Sequence, residues 1–240
     1  MSGHEFHYSG AEFEALSQAD NYYHWIRTMF GAYLRGRVVE VGAGRGNFSE
    51  RLLALDTIEQ LLLIEPDGRL YRQLSARFAE EPRVTAFEGY FGDGDLGGPV
   101  DAIVLVNVLE HIEDDAGLVR TALRALRPGG ALLLFVPAGP RLFGSLDRAF
   151  DHFRRYERGG LVELLTDCGL EVAAAHYVNA PGALIWFLAG RVFQQRTIRL
   201  AQMKLYDRLA IPIISRLETM LRPPRGQSLA TIAMKPGASG

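Results

Sequence analysis

The chain has 240 residues, of which 48% are hydrophobic and 22% are charged, and its formal net charge is -2. This composition is typical of a globular protein with one large core, and it excludes a disordered chain as well as the basic excess of most nucleic-acid-binding proteins. The single cysteine excludes an internal disulfide, and we expect Cys168 to be a core residue because it continues an apolar helical pattern.

The N-terminal residues lack the basic start and the apolar stretch of a signal peptide. The longest apolar run in the C-terminal third, near residues 183–189, is too short to span a bilayer. We therefore expect a cytoplasmic location.

In chain order, the first part of the sequence alternates short apolar runs with amphipathic helical patterns. Strands are predicted at residues 37–41, 61–64, 84–87, 102–106 and 131–136. Helices are predicted at residues 67–79 and 117–126, the second stopped by the turn at 127–130. This alternation predicts an α/β fold, a Rossmann-like, doubly wound and mostly parallel sheet.

The remaining residues complete the sheet around an insertion. A helix at 161–168 ends at Gly169, and strands at 172–178 and 228–234 bring the predicted sheet to seven strands. We predict one domain in four parts: an N-terminal helical lid at 1–35, a cofactor-binding core at 36–179, a helical insertion at 180–227, and a last strand with a tail at 228–240. The insertion is predicted as two helices with a break at Pro212.

The strongest local signal is the motif EVGAGRGN at residues 40–47, where a strand runs into three glycines and then a helix. Glycines at 42, 44 and 46 permit a sharp turn and a close approach of a ligand to the main chain. A dinucleotide-binding loop has its third glycine at the position that Asn47 occupies here, so a pyrophosphate site is disfavoured.

Two acids accompany the glycine loop. Glu40 lies inside the strand beneath the loop, where a carboxylate can hold loop amides or a ligand's ammonium group. Glu65 ends the next predicted strand, 19 residues after Gly46, which suits a carboxylate that accepts hydrogen bonds from ribose hydroxyls. Together these features predict a nucleoside pocket.

At these residues the chain resembles the class I methyltransferases that use S-adenosyl-L-methionine. The resemblance extends to NVLEHI at residues 107–112 and LRPGG at 126–130, and it covers about residues 22–178. It implies S-adenosyl-L-methionine as cofactor. The predicted cofactor-binding residues are Glu40, Gly42, Ala43, Gly44, Asn47, Phe48, Glu65, Pro66, Glu88, Gly89, Asn107, Val108 and Leu109, with Tyr22 and Trp25 added from the lid.

One element of the family pattern stays open. The family places an acid after the third strand to hold the adenine amino group, and here either the stretch at residues 88–90 or the pair Gly92-Asp93 can fill that role.

The acceptor is expected beyond the carboxyl ends of the strands, where residues 107–111 and 137–156 meet beneath the lid at 21–26. The stretch HFRRY at residues 152–156 resembles that of a subgroup of small-molecule methyltransferases. A neutral histidine suits the removal of a proton from a hydroxyl or ammonium acceptor. The predicted catalytic residues are His152 as first candidate base, His111 as second, and Tyr156, which with Arg154 and Arg155 can orient the acceptor. No metal-ligand spacing occurs, so no metal is predicted.

Residues 180–227 mix apolar and basic side chains, and between 191 and 225 eight basic residues face two acidic ones. Three interpretations remain open. The insertion is a lid or a homodimer surface, or residues 184–208 contact an anionic membrane or hold a lipid-linked or phosphorylated acceptor. The third is a solvated helical cover whose arginines extend their charged ends into water.

The sequence therefore predicts methyl transfer from S-adenosylmethionine to an oxygen or nitrogen of a small, lipid-linked or sugar-linked metabolite. Nucleic acid is not an expected partner, because the fourth strand is followed by NVLE and not by the Asn/Asp-Pro-Pro-aromatic motif of base amino methylation. The competing functions are a nicotinamide-dependent oxidoreductase and a non-catalytic nucleotide-binding module on the same fold.

Overall fold

A computed structural model describes residues 19–237 of the chain. Seven strands form one sheet in the order β3-β2-β1-β4-β5-β7-β6. The strands are β1 (Gly36–Val41), β2 (Ile58–Glu65), β3 (Val84–Glu88), β4 (Val100–Val106), β5 (Leu126–Pro137), β6 (Glu171–Val178) and β7 (Ser228–Met234). Strands β1 to β5 are parallel, and β7 is antiparallel to both β5 and β6, so the predicted fold is confirmed.

Helices cover both faces of the sheet, because its strands alternate their side chains between two apolar cores. Val39 of β1 packs into one core and Val38 into the other. The α-helices of the described residues are α1 (Asp20–Phe30), α2 (Asn47–Leu53), α3 (Gly68–Arg77), α4 (Asp115–Ala125), α5 (Ser145–Ala149), α6 (Arg158–Asp167), α7 (Ala180–Phe187), α8 (Leu200–Leu209) and α9 (Ile211–Met220). Cys168 follows α6 and is buried in the first core, as expected.

The topology places a cleft at the carboxyl ends of β1 and β4. The connection after β1 leads to β2 on one side, whereas β4 lies on the other side of β1. This reversal of strand order separates the loops that follow the two strands and leaves space between them for a ligand.

The turn predicted at residues 127–130 is part of the sheet. Strand β5 begins at Leu126, directly after α4, and its pairing with β4 is irregular between Val100 and Ala102. Gly129 has a φ of 71°, and its amide donates to the carbonyl of Lys235. The helix thus ends before residue 127 as predicted, but the strand begins earlier than residue 131, because an irregular pairing accommodates the Pro-Gly-Gly stretch at the start of the strand.

The insertion contains three α-helices and not the two predicted. The helix α7 continues into a π-helical turn at Leu188–Val192, and α8 and α9 follow. Pro212 lies in the first turn of α9, where its missing amide hydrogen costs nothing, so the break falls before it.

Two acids of the insertion tie it to the rest of the fold. The Asp207 carboxylate accepts hydrogen bonds from the amides of Asn21 and Tyr22 at the start of α1. Glu218 accepts from the amides of Asn179 and Ala180 at the start of α7. Within residues 19–237, no helix combines the length and the apolar character that crossing a bilayer requires.

Candidate active site

The glycine loop bends sharply after β1. Gly42 has a φ of 72°, and a Cβ atom there would lie 2.6 Å from a methyl group of Val108. Gly46 has a φ of 82° and precedes α2. Both positions require glycine, because a side chain would be strained and, at 42, would also collide with the loop after β4.

The Glu65 carboxylate holds this loop from the neighbouring strand. Its Oε2 accepts from the Gly44 amide at 2.8 Å, and its Oε1 accepts from the Asp67 amide at 2.9 Å. Glu65 is buried, and burial raises the pKa of its carboxyl against the lowering effect of the two amides. The carboxylate thus lies beside the bend at the tip of β2.

Glu40 is a second buried acid beneath the loop. The Ser49 hydroxyl donates to its Oε2 at 2.6 Å. Burial raises the pKa of Glu40 to about 8, although this hydrogen bond acts to lower it. A cation bound beside this carboxyl would stabilise its charged form and so lower its raised pKa.

These groups border a cavity of about 330 Å³. The residues predicted to bind the cofactor that line it are Glu40, Gly42, Ala43, Asn47, Phe48, Glu65, Pro66, Gly89, Asn107 and Val108. Gly44 contributes its amide to Glu65 rather than a wall of the cavity. Neither Glu88 nor Asp93 is among the described lining residues; Glu88 is exposed, and Asp93 accepts from the Tyr90 amide.

A second cavity, of about 620 Å³, adjoins the first and shares Asn107 with it. Asn107 follows β4 with a φ of 53°, a conformation that is uncommon outside glycine and that asparagine tolerates better than most residues. Strain of this kind persists where the surrounding structure enforces it, often at functional sites.

The inner end of the second cavity is polar and its walls are apolar. Asn107, Glu110, His152 and Arg155 line the polar end. Most of the remaining lining comes from α7, α8 and the turn between them. Its large apolar side chains include Ile185, Trp186, Leu188, Phe193, Met203 and Leu205.

His152 is held by the fully buried carboxylate of Asp147. The distance from His152 Nδ1 to Asp147 Oδ1 is 3.1 Å. Burial acts to raise the pKa of Asp147, but the hydrogen bond from His152, the Arg155 charge and further donors lower it to about 2. With Asp147 ionised, the tautomer assigned to His152 carries its proton on Nδ1, which leaves Nε2 as the basic nitrogen.

Three further donors fix Asp147. Arg155 donates to Oδ1 at 2.8 Å, and Trp186 Nε1 and the Gly144 amide donate to Oδ2 at 3.1 Å and 2.9 Å. Trp186 comes from α7, so the insertion contributes directly to the position of His152.

His111 lies across from His152, one from each loop. Their ring centroids are 4.8 Å apart, and the side chains of Glu110, His111 and His152 bring ligand-type atoms within 4.8 Å of one another. The Phe153 amide donates to the Glu110 carbonyl at 2.9 Å, which joins the two segments. Both predicted bases therefore lie at the junction of the two cavities.

Two of the residues expected to orient the acceptor lie elsewhere. The Tyr156 hydroxyl donates to the Leu109 carbonyl and lies 3.1 Å from Asp115, while Arg154 pairs with Asp115 at 2.6 Å. Neither is among the described lining residues of the two cavities. The segment is extended there, since Tyr156 bridges to Ala138, and successive side chains point in opposite directions. Of the three, only Arg155 reaches the second cavity.

The predicted lid residues divide between the cavities. Tyr22 lines the second cavity and Tyr23 the first, whereas Trp25 is buried in the core. Leu109 is also buried in the core. Four predicted site residues therefore line neither cavity, and the geometry does not support their predicted roles. These are Trp25, Leu109, Glu88 and Tyr156.

Several lining residues escaped the sequence argument. Phe91 follows β3, Asp114 directly precedes α4, and Leu118 and Thr121 lie within α4. Tyr90, from the candidate stretch at 88–90, also lines the first cavity. The apolar periodicity of α4 signals only its core face, so these residues carry no distinct sequence pattern. Asp147 and Trp186 are 39 residues apart, and no local pattern links them.

Comparison with known proteins identifies relatives of this chain. The family described as "Methyltransferase domain" matches residues 16–175. A Mycolicibacterium smegmatis protein named "Probable S-adenosylmethionine-dependent methyltransferase" is 31% identical over 163 residues, 64% of this chain and 61% of that protein. A "Ubiquinone biosynthesis O-methyltransferase" of Xylella fastidiosa is 31% identical over 105 residues, 41% of this chain and 40% of that protein. The matches therefore span less than two thirds of either relative.

The fold has counterparts among solved structures. The N-methyltransferase NodS of Bradyrhizobium japonicum, solved in complex with S-adenosyl-L-homocysteine, superposes with a TM-score of 0.61. It is 14% identical, and the superposition covers 95% of this chain and 98% of that one. At this identity the similarity supports the fold alone.

Proposed function

The chain belongs to the methyltransferase domain family, and from this premise we propose that it uses S-adenosylmethionine to methylate an oxygen or nitrogen of a small acceptor with a large apolar part. The family assignment disfavours a nicotinamide-dependent oxidoreductase, and turnover distinguishes the proposed enzyme from a non-catalytic module. The observation that carries the proposal is the common wall of the two cavities at Asn107, with a histidine from each cavity beside it.

The first cavity fits the cofactor by the chemistry of its donors. Glu65 and the bend at Gly42 offer a carboxylate and closely approachable main chain for the ribose. Glu40 offers a buried carboxyl with a raised pKa, and a cationic amino group bound beside it would lower that pKa again. We assign the nucleoside part to the side of Glu65 and Tyr90, and the amino acid part to the side of Glu40.

S-adenosylmethionine supplies a methyl group on a positively charged sulfur, so the chemical activation does not come from the protein. The residues at the junction must align the acceptor with this methyl group and exclude water. The backbone amide of Asn107 donates to the Phe135 carbonyl at 2.8 Å. Asn107 lies where the cofactor and the acceptor would meet.

We assign His152 as the general base. Nε2 of His152 would accept the O–H or N–H proton of the acceptor as the bound cofactor supplies its methyl group to the acceptor atom. The resulting imidazolium is stabilised by the Asp147 carboxylate at 3.1 Å. His111 remains the second candidate, because its ring lies 4.8 Å from that of His152.

The shape of the second cavity supports our proposal for the acceptor class. A volume of about 620 Å³ accommodates a ligand of drug-like size. Its apolar walls match an alkyl, prenyl or aromatic portion, and its polar end matches a hydroxyl or amine directed at His152. The name of the Xylella relative refers to ubiquinone biosynthesis, and we take hydroxylated aromatic acceptors as the first class to test.

The test is product formation with matched acceptors. The protein is incubated with S-adenosylmethionine and phenolic acceptors that differ only in the presence of a prenyl or alkyl chain, and S-adenosylhomocysteine is quantified. We expect turnover of a chain-bearing acceptor with a lower KM than that of its truncated counterpart. Cofactor binding without turnover of any hydroxyl or amine acceptor would contradict the proposal.

A further inference from the structure

Exposed apolar side chains concentrate on one part of the molecule. Fourteen large hydrophobic residues of the described chain are exposed, and twelve of them lie between residues 184 and 221. Among them, Ile213, Leu217 and Met220 fall at helical spacing on α9 and so share one face of that helix. Patches of this extent on a protein surface mark an interaction site.

The same segment has a positive surface. All eight basic residues between 191 and 225 are exposed, and none forms an ion pair with another described residue. The two acids of this segment are directed inward: Asp207 caps α1, and Glu218 caps α7. The acids therefore do not neutralise the outer face, which combines apolar and cationic groups.

The mouth of the second cavity opens within this face. Five large apolar residues both line the cavity and are exposed, and they define its rim. These are Ile185, Leu188, Phe193, Leu205 and Leu209. Water solvates an apolar rim poorly. If an apolar phase lay against the rim, it would be continuous with the apolar interior of the cavity, and no polar layer would separate the two.

We propose that α7, α8 and α9 form a docking face for an anionic phospholipid bilayer, with the cavity mouth against the lipid. Apolar groups inserted at the level of the headgroups, surrounded by arginine and lysine, match the interface of such a bilayer. A symmetric pair of two copies through this face would bring the two sets of eight cations together, which disfavours a second copy as the occupant. The contact would be interfacial, in agreement with the lack of a spanning helix in residues 19–237.

This inference rests on the proposed function for one consequence only: an acceptor whose apolar part resides in the bilayer would enter through the rim and present its polar end to His152. The docking itself is independent of which atom is methylated.

The test is flotation of the full chain with vesicles of phosphatidylcholine alone and of phosphatidylcholine with phosphatidylglycerol. We expect binding to the anionic vesicles, weakened by salt. One variant, Ile213→Gln, Leu217→Gln and Met220→Gln, removes apolar groups that are exposed and do not line the cavity. A second, Arg216→Gln, Arg222→Gln and Arg225→Gln, removes charge. Each should weaken vesicle binding at least about tenfold.

The matched control is Arg35→Gln, Arg69→Gln and Arg72→Gln, three exposed arginines outside the insertion. It should bind vesicles as the unaltered protein does. Circular dichroism verifies folding, and turnover of a water-soluble, short-chain acceptor should be unchanged in both docking variants, which separates loss of docking from loss of catalysis. Absence of binding to anionic vesicles, equal loss in the control, or a dimer in solution that the first variant dissociates would each overturn the docking proposal.

Discussion

The carboxylate of Asp147 lies 3.1 Å from Nδ1 of His152; both side chains are buried, and His152 lines the second cavity. A buried carboxylate beside an imidazole selects one tautomer and stabilises the protonated ring. Because Asp147 also binds Arg155 and Trp186, the position of the candidate base depends on residues from the core and from the insertion.

The substitution His152→Ala should lower kcat by about 10²–10⁴-fold, the usual contribution of a general base. Affinity for S-adenosylhomocysteine, measured by isothermal titration, should stay within about twofold, because His152 is not among the described residues that line the first cavity. His176→Ala, on β6, is the matched control and should leave both quantities unchanged. Unchanged turnover in His152→Ala would exclude His152 as the base and direct attention to His111.

The substitution Asp147→Asn should also lower kcat, with a changed pH profile, because a neutral amide neither fixes the tautomer nor stabilises the imidazolium. It leaves the buried Arg155 without its counter-charge, so we expect a loss of stability of about 3–5 kcal/mol in denaturant unfolding. Trp186→Phe keeps the charge pair and removes a single hydrogen bond, and its effect on kcat should be smaller. A pH profile of Asp147→Asn identical to that of the unaltered protein would contradict a positioning role.

The substitution Glu65→Ala should weaken S-adenosylhomocysteine binding by about 1–3 kcal/mol, the scale of lost hydrogen bonds to a charged group. Part of the loss would arise from the loop, since Glu65 also holds the amides of Gly44 and Asp67. Thermal unfolding with and without ligand separates the two effects, and Glu59→Ala, an exposed acid on the same strand, serves as control. Full affinity in Glu65→Ala would remove Glu65 from the cofactor site.

Binding of S-adenosylhomocysteine at pH 7 should release close to one proton. Burial raises the pKa of Glu40 from 4.5 to about 8, so the carboxyl is mostly protonated before the ligand's ammonium group arrives. Calorimetry in buffers of different ionisation enthalpy measures the release, which Glu40→Gln should abolish. A raised folded-state pKa also means that ligand-free stability falls as pH rises from 4.5 through 8, and the glutamine variant should flatten that dependence. Release of the same number of protons by Glu40→Gln would contradict the assignment.

Methyl transfer should persist in EDTA. As the base, His152 uses Nε2 to accept a proton, and a metal ligated there would occupy the same nitrogen. Elemental analysis of the purified protein and assays with added Mg²⁺, Mn²⁺ or Zn²⁺ provide the check. Loss of activity in EDTA that one metal restores would instead make Glu110, His111 and His152 a ligand set, since their ligand-type atoms lie within 4.8 Å of one another.

The sequence by itself determined the sheet, the glycine loop and the acid at the tip of β2. These features are continuous along the chain: Gly42 to Asn47 connects a strand to a helix directly, and Glu65 ends the adjacent strand. Local backbone geometry and strand alternation decide where such residues point, so motif and periodicity are sufficient to place them.

Only the tertiary structure decided which residues of the connection after β5 face the second cavity. Arg155 reaches it while Arg154 and Tyr156 turn to Asp115, because pairing of Tyr156 with Ala138 sets the alternation of the segment. The meeting of Asp147 with Trp186 depends on how the insertion packs, since 39 residues separate the two. Side-chain direction in irregular segments is determined by distant contacts, and these have no periodic signature in the sequence.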